Sequence, residues 1–251
     1  KASSVPGSSH VSLKIAKGYE PVTLDDLSEG HRQAIPGGAF REGSLHDGDL
    51  VRRVLREDGI EAVFHFAASC LVGESVTDPA KYYRNNLTAS MGLLDAMRDA
   101  GVGKMIFSST CATYGDPVDL PMTESHPQVP VNPYGETKLA FERVLRDYSA
   151  AYGIRAVSLR YFNAAGADPS GALGEAHHPE THLIPIVLAA ALGQRERVDI
   201  FGDDYATPDG SCIRDYIHIV DLAQAHILAL ERLDRIAPFS AYNLGMGNGY
   251  S

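Results

Sequence analysis

The sequence predicts an α/β protein built on a doubly wound, mostly parallel sheet with a smaller C-terminal lobe. Short segments of β-branched or aromatic residues alternate with helical segments along most of the chain, which is typical of strand–helix–strand units. Each predicted helix is followed by a glycine, a residue that commonly ends helices. With 251 residues, the chain can bury a large core.

The predicted elements follow one another at short intervals. The predicted strands are residues 21–25, 62–66, 105–109 and 156–161, with a late strand at 242–245. The predicted helices are residues 49–57, 79–100 and 133–152, and glycines end them at 59, 101 and 153. Because parallel neighbours need a crossover connection, this order favours a Rossmann-like fold.

The alternation of strands and helices loosens after Gly166, where the chain becomes rich in His and Pro. We therefore predict three parts. Residues 1–166 form the Rossmann-like domain, residues 167–217 form a substrate-binding lobe, and residues 218–251 return to the main sheet.

Charge and cysteine content disfavour several classes of protein. The net charge of -10 and the pI near 5.4 argue against binding to nucleic acid or to a membrane surface. No apolar run approaches membrane-spanning length, and no secretory signal is visible at the start. The three cysteines are widely spaced, which disfavours a disulfide framework or a structural zinc site. We expect a soluble, cytoplasmic protein.

Tyr134 and Lys138 stand four residues apart in a predicted helix, so their side chains project from the same face. A fixed positive charge stabilises a phenolate, and we therefore expect a lowered pKa that lets Tyr134 act as a general base. Thr110 follows a predicted buried strand, and ligands of open α/β sheets bind where such strands end. The three side chains suit removal of a proton from an alcohol as hydride leaves its carbon. The bare spacing would equally fit an exposed helix pair.

Several further segments occur in an order that fits one known fold. They are residues 65–68, 72–75, 82–86, 108–116, 133–138 and 160–166, and, as the most specific, 201–205 leading to 214–218. In these segments the chain resembles the extended short-chain dehydrogenase/reductase superfamily, and most closely its UDP-glucose 4-epimerase branch. The resemblance covers nearly all of residues 19–247.

The resemblance implies an NAD-dependent isomerase that inverts C4 of a UDP-hexose through a transient 4-keto sugar. Tyr134 would take the proton of the 4-hydroxyl, Thr110 would hydrogen-bond the same oxygen, and Lys138 would bind the nicotinamide ribose. NAD would be regenerated in each turnover and act as a bound prosthetic group. UDP-glucose and UDP-galactose are the default pair of substrates.

The resemblance also implies a set of cofactor-binding residues. Asp25, with Asp26 beside it, would accept hydrogen bonds from the adenosine ribose, which favours NAD over NADP. Ser44 and Leu45 would flank the adenine. The remaining cofactor contacts would be Phe66, Ala67, Ala68, Asn85, Ser108, Tyr134, Lys138 and Tyr161. The alternatives are a solvated acid at Asp25 and purely structural hydrogen bonds at Asn85 and Ser108.

Most substrate contacts are expected from the second lobe. Arg214 would pair with diphosphate oxygens, and Leu183 and Phe201 would form a uracil pocket. The full expected set is Thr110, Tyr134, Asn163, Leu183, Phe201, Arg214 and Tyr216. Core packing is the alternative for Phe201 and Tyr216, and a surface ion pair with Asp215 is the alternative for Arg214.

Both ends of the chain differ from the pattern of the family. Its members carry a Gly-x-x-Gly-x-x-Gly turn for the pyrophosphate, whereas residues 3–11 contain one glycine and a proline, Pro6, that removes a backbone donor. Residues 9–11 would open the first helix. The helix that residues 247–251 should start is missing, so we interpret the chain as a fragment.

A group of imidazoles and carboxylates near the loosened segment resembles a set of metal ligands. It consists of Glu175, His177, His178, Glu180 and His182. A proline interrupts any helix there, and the family has no metal at this position, so we interpret the segment as a solvated loop without a metal.

Three functional hypotheses remain open. The first is a UDP-sugar 4-epimerase that pairs as a homodimer through helices 79–100 and 133–152. The second is a nucleotide-sugar dehydratase or dehydrogenase, which Cys111 and Ala112 disfavour because a dehydratase needs an Asp-Glu pair beside Thr110. The third is a non-catalytic fragment that keeps the fold and no longer holds NAD.

Overall fold

The computed structural model describes Val11, Leu13, residues 15–175, His177 and residues 180–251. The strands are β1 (Val22–Asp25), β2 (Ala39–Glu42), β3 (Val63–His65), β4 (Lys104–Thr110), β5 (Arg155–Tyr161), β6 (Asn163–Ala165), β7 (Tyr216–His218) and β8 (Phe239–Leu244). The helices are α1 (Gly48–Glu57), α2 (Val72–Thr77), α3 (Pro79–Tyr82), α4 (Ala89–Ala100), α5 (Pro133–Tyr152), α6 (Leu183–Ala191) and α7 (Ile219–Arg232). Val11 is helical and buried, while residues 3–10, which hold the expected phosphate turn, lie outside the described residues.

Neighbouring strands pair in parallel throughout the described sheets, which confirms the predicted Rossmann-like α/β class. The main sheet has the order β3-β4-β5-β8, while β1 pairs with β2 and β6 pairs with β7. Parallel pairing sets Thr110 opposite Tyr161, so the ends of β4 and β5 lie at one edge of the sheet. The predicted boundaries of the three parts of the chain stay a prediction.

Strand β4 shows how the sheet separates two layers of helices. Met105 and Phe107 pack into a cluster with buried residues of α1, α4 and α5. Ile106 points to the opposite face, where it packs with Val157 and with Leu230 of α7. Because side chains alternate along a strand, helices cover both faces.

The predicted helix 133–152 is confirmed at both ends. The side chain of Asn132 accepts a hydrogen bond from the Gly135 amide at 2.8 Å, and Pro133 occupies the first helical position. Gly153 ends the helix with a φ of 72°, a left-handed conformation that glycine adopts without a steric cost. These local signals place Tyr134 in the first turn of α5, facing the end of β4.

The prediction of one regular helix over residues 79–100 is wrong at its centre. A π-helical turn, Tyr83–Thr88, separates α3 from α4. Within this turn the Asn86 side chain accepts from the Ser69 amide at 2.8 Å and donates to the Ser69 carbonyl at 2.9 Å. These two buried hydrogen bonds offset the poorer geometry of the π turn, a feature that often marks functional sites. Helices α2 and α7 have no counterpart among the predicted elements. Within the described part of the chain, the helices are too short or too polar to cross a membrane.

Candidate active site

A cleft of about 2110 Å³ includes the loops that follow the parallel strands and continues to Lys104 and Asp234, at the opposite end of the main sheet. Its part at the strand ends is where ligands of open α/β sheets bind, here the expected cofactor and substrate. Each residue expected to bind one of them lines it: Asp25, Asp26, Ser44, Leu45, Phe66, Ala67, Ala68, Asn85, Ser108, Thr110, Tyr134, Lys138, Tyr161, Asn163, Leu183, Phe201, Arg214 and Tyr216. The fold therefore gathers them in one place, and their individual roles remain proposals.

Thr110 and Tyr134 meet at the centre of this cleft. The Thr110 hydroxyl lies near enough to the Tyr134 phenol to lower its pKa, and the Thr110 hydroxyl oxygen accepts a hydrogen bond from the Ala112 amide at 3.2 Å. Because the Ala112 amide occupies one lone pair of the Thr110 oxygen, the hydroxyl proton of Thr110 points away from that amide. A small oxygen-bearing ligand at this point would meet both a hydroxyl donor and a phenol.

Lys138 lies one turn further along α5 and is 3% exposed. Its Nζ donates to the Ser108 carbonyl at 2.9 Å and stands 4.9 Å from the centre of the Phe107 ring and 5.9 Å from that of Tyr134. Burial lowers the pKa of Lys138 to about 8, and nearby Cys70 and Glu142 oppose that shift. The expected side-by-side arrangement of phenol and ammonium on one helix face is present.

The expected lowering of the Tyr134 pKa is wrong for the chain by itself. Burial, followed by proximity to Tyr161 and Cys70, raises the pKa of Tyr134 above its ordinary value, although the hydrogen bond from Thr110 lowers it. The physical reason is that a phenolate loses its hydration inside the protein, and Lys138 gives a hydrogen bond to a backbone carbonyl. Activation of this phenol therefore requires positive charge in addition to that of Lys138.

Polar side chains brace the strand ends around this centre. Ser108 and Tyr161 share a short hydrogen bond between their hydroxyl groups. Asn85 lines the cleft and donates to the Ser69 hydroxyl at 3.1 Å, a bond between two side chains and not the side-chain-to-backbone bond that was its structural alternative. Asn86, which sequence reasoning missed, contributes more buried contacts than Asn85; its position beside Asn85 in the chain was the available signal.

The two acids after β1 occupy different environments. Burial raises the pKa of Asp25, whose carboxylate accepts from the Leu27 amide at 2.7 Å. Desolvation raises the pKa of Asp26, but the hydrogen bonds that its carboxylate accepts from Ser28, together with the effect of Ser44, outweigh it and lower the pKa. Asp25 is half-buried and lines the cleft.

The residues expected to contact substrate lie on the open side of the cleft. Phe201 is 98% exposed, so the core-packing alternative for it is wrong. The surface ion pair of Arg214 with Asp215 is also wrong, because Arg214 donates to the Ile213 carbonyl while the Asp215 carboxylate accepts from the amides of residues 246 and 247. Both Phe201 and the Arg214 side chain are thus available to a ligand.

The side chains of Glu175, His177, Glu180 and His182 place their ligand atoms within 4.8 Å of one another. His182 Nδ1 lies 2.8 Å from Glu175 and 3.0 Å from Glu180. Burial raises the pKa of Glu175, but hydrogen bonds from His177 and His182 outweigh burial and lower the pKa to about 2. Their side chains are 18–44% exposed and pair with one another in an irregular segment, while His178 lies outside the described residues. The interpretation as a solvated loop stays a prediction. The expectation of no metal here stays a prediction.

Known proteins match this chain over nearly its whole length. A profile of the NAD dependent epimerase/dehydratase family matches residues 2–245. A UDP-glucose 4-epimerase of Halalkalibacterium halodurans is 53% identical over 245 residues, which are 98% of this chain and 73% of that protein. One of Rhizobium meliloti is 50% identical over 242 residues, or 96% and 74%.

Solved structures give the same result. UDP-glucose 4-epimerase from Brucella ovis in complex with NAD superposes with a TM-score of 0.96 at 52% identity, covering 99% of this chain and 77% of that one. The enzyme from Bifidobacterium longum in complex with NAD+ and UDP gives 0.94 at 38% identity, with the same coverage.

Proposed function

This chain belongs to the NAD-dependent epimerase/dehydratase family, and from that premise we propose that it is an isomerase that interconverts UDP-glucose and UDP-galactose. It does so by inverting C4 of the hexose with NAD as cofactor. The observation that carries the proposal is the proximity of Thr110 to Tyr134, beside a buried Lys138, in the cleft at the strand ends.

The residues of the cleft fit NAD. Asp25 offers a carboxylate to ribose hydroxyls and would repel the 2′-phosphate of NADP. Ala67 and Ala68 carry small side chains that let a diphosphate approach the backbone. The Lys138 ammonium has three N–H donors, of which one goes to the Ser108 carbonyl, so it can also bind ribose hydroxyls.

Tyr134 moves the proton of the sugar 4-hydroxyl, and Thr110 hydrogen-bonds the same oxygen. Because burial raises the pKa of the phenol, this transfer needs compensating positive charge, and Lys138 provides part of it close to the ring. When bound, NAD supplies an acceptor that takes the C4 hydride and later returns it, together with a second positive charge. Before the hydride returns, the 4-keto sugar turns over in the cleft and presents its opposite face. Tyr134 then gives the proton back to the sugar oxygen, so the net reaction is inversion without oxidation.

The open side of the cleft would hold the UDP part of the substrate. Arg214 pairs with diphosphate oxygens, and Asn163 lies on the same side after β5. Leu183 and Phe201, which are 54% and 98% exposed, bury apolar surface when the uracil ring settles between them. Tyr216 contacts the uridine ribose.

A homodimer in the cytoplasm is part of the proposal. Tyr83 and Met91, two turns apart, and Tyr152 at the end of α5 are exposed apolar side chains on the two helices expected to pair with a second copy. The three cysteines are free thiols, which suits a reducing compartment. Light scattering of the purified chain measures the oligomeric state.

Gly135 is required for the close approach of α5 to the turn after β4. A Cβ at this position would lie 2.4 Å from the Ala112 carbonyl oxygen, closer than atoms can approach, so the backbone must shift. We expect Gly135→Ala to move Tyr134 away from Thr110 and to lower kcat for UDP-galactose roughly 10- to 100-fold, with a loss of about 1–3 kcal/mol of stability.

Gly73→Ala is the matched control for this substitution. Gly73 lies in helix α2, and a Cβ there would meet nothing within 4 Å. This variant should keep its kcat and gain roughly 0.5–1 kcal/mol of helix stability. Equal effects of the two substitutions would contradict the close contact at Gly135.

The function itself is tested by two measurements on the purified chain. Denaturation should release close to one NAD per chain, and UDP-galactose should be converted to UDP-glucose without an added oxidant, as followed by NMR. A dehydrated keto sugar as product would instead support the second hypothesis, a dehydratase. Absence of both NAD and turnover would support the third, a non-catalytic protein.

A further inference from the structure

We propose that Glu142 and Arg160 are positioning residues that hold the catalytic helix against the strand ends facing the substrate. The inference rests on the proposed function, because its consequence is the alignment of Tyr134 and Lys138 with Thr110. Neither Glu142 nor Arg160 lines the cleft, so they act through other residues.

The two side chains form a buried, forked ion pair. Glu142 is 1% exposed and Arg160 is 3% exposed. Arg160 Nη2 lies 2.5 Å from Glu142 Oε2, and Arg160 Nε lies 3.0 Å and 3.2 Å from the two carboxylate oxygens. A forked pair of this kind fixes both the distance and the orientation of the two groups.

Both members of the pair are close in the chain to the catalytic centre. Glu142 follows Lys138 by one turn of α5, and Arg160 precedes Tyr161 at the end of β5. The Ser109 hydroxyl, between Ser108 and Thr110, donates to Glu142 Oε1 at 2.5 Å. One carboxylate thus ties α5 to the ends of β4 and β5 at once.

The network extends beyond the pair to the last strand of the sheet. Arg160 Nη1 donates to the Tyr114 hydroxyl at 2.8 Å, and this hydroxyl donates to Asn243 Oδ1 on β8 at 2.6 Å. Every link is a buried or half-buried hydrogen bond between different elements. A shift of α5 relative to the sheet would break several of them together.

Stability alone does not explain such a pair. Removing two charges from water is costly, and buried ion pairs can often be replaced by apolar residues of similar volume without loss of stability. If the pair instead positions the catalytic helix, apolar replacements should keep the fold but lose the alignment of Tyr134 and Lys138 with Thr110. The two roles are therefore separable by experiment.

Glu142 also takes part in the electrostatics of Lys138. The titratable groups that face Lys138 are His65 from β3, Cys70 from the following loop, and Tyr134 and Glu142 from its own helix. Of these, Cys70 and Glu142 favour the charged ammonium. Loss of the Glu142 charge should lower the pH at which Lys138 becomes neutral.

The test is the double variant Glu142→Leu/Arg160→Met. We expect it to fold, to bind NAD as the wild type does, and to keep KM for UDP-galactose within about twofold, while kcat falls at least tenfold. The control is Arg52→Met/Asp49→Asn, which removes an exposed ion pair on α1 and should leave kcat unchanged. A folded double variant with kcat within twofold of the wild type would overturn the proposal.

Two further measurements complete the test. Arg160→Lys keeps the positive charge and loses the forked hydrogen bonds. A tenfold loss of kcat without a change in the unfolding midpoint supports a positioning role. An unchanged kcat overturns the proposal, even if the double variant fails to fold. The second measurement needs no turnover. In the wild type, the free energy of unfolding should rise with pH once buried Lys138 loses its proton, and in Glu142→Gln this rise should begin at a lower pH. A chain without epimerase activity would still show this shift, so failure of the proposed function is distinguishable.

Discussion

Replacing Tyr134 by phenylalanine is expected to lower kcat for UDP-galactose by roughly 10³-fold, within the 10²–10⁴ range of a lost general base. The substitution removes the phenolic oxygen that Thr110 contacts and leaves the ring in place. Because the phenol acts on the reacting hydroxyl and not on the nucleotide, KM should change no more than a few-fold. NMR of the sugar nucleotides measures kcat, and released NAD measures occupancy.

The matched control for this substitution is Tyr152→Phe. Tyr152 ends the same helix, is 53% exposed and packs edge-on against Tyr148. It should keep the full kcat, so a loss at Tyr134 reports on the phenol and not on helix α5. A Tyr134→Phe variant within tenfold of the wild type would show that another group moves the proton.

The fold could be predicted where local signals mark the ends of elements. Helix α5 has its predicted bounds because Asn132, Pro133 and Gly153 each act on their own neighbours in the chain. Strand β4 could be predicted because its apolar residues are consecutive. The π turn at Tyr83–Thr88 could not, because it depends on hydrogen bonds between Asn86 and a loop 17 residues earlier.

The candidate site shows the same division. Motif resemblance selected residues that line one cleft, since motifs record which side chains meet a ligand. It missed the Glu142–Arg160 pair, although a charged residue within a predicted strand can signal a buried partner. The spacing of Tyr134 and Lys138 gave the wrong direction for the pKa of Tyr134, because desolvation depends on residues that only the tertiary structure brings together.

Lys138→Met should separate the contribution of this lysine to catalysis from its effect on stability. We expect kcat to fall on the order of 10²-fold, because the phenol loses its neighbouring positive charge while the apolar side chain fills the same space. Below pH 8, in contrast, the substitution should stabilise the folded protein, that is, raise its free energy of unfolding. An ammonium that is 3% exposed is costly to bury, and methionine avoids that cost.

The sign of this effect follows from the pKa. Burial lowers the pKa of Lys138 from 10.5 in a free side chain to about 8 in the folded chain. Between these values the unfolded chain binds more protons than the folded chain, so the free energy of unfolding of the wild type rises with pH, by roughly 3 kcal/mol in all. Below pH 8 the wild type lacks that gain, and Lys138→Met should therefore be the more stable protein by a similar amount.

Urea unfolding at pH values from 7 to 10.5, with the same NAD concentration throughout, measures this difference. Lys17→Met, at a lysine on the surface, is the control and should follow the wild type at every pH. Parallel pH profiles for the wild type and Lys138→Met would contradict the buried charge. We expect the two profiles to converge above pH 8 and kcat to be lost in Lys138→Met. That result would mean that the chain keeps a destabilising buried cation because the reaction requires it, a trade-off between stability and activity that is common in active sites.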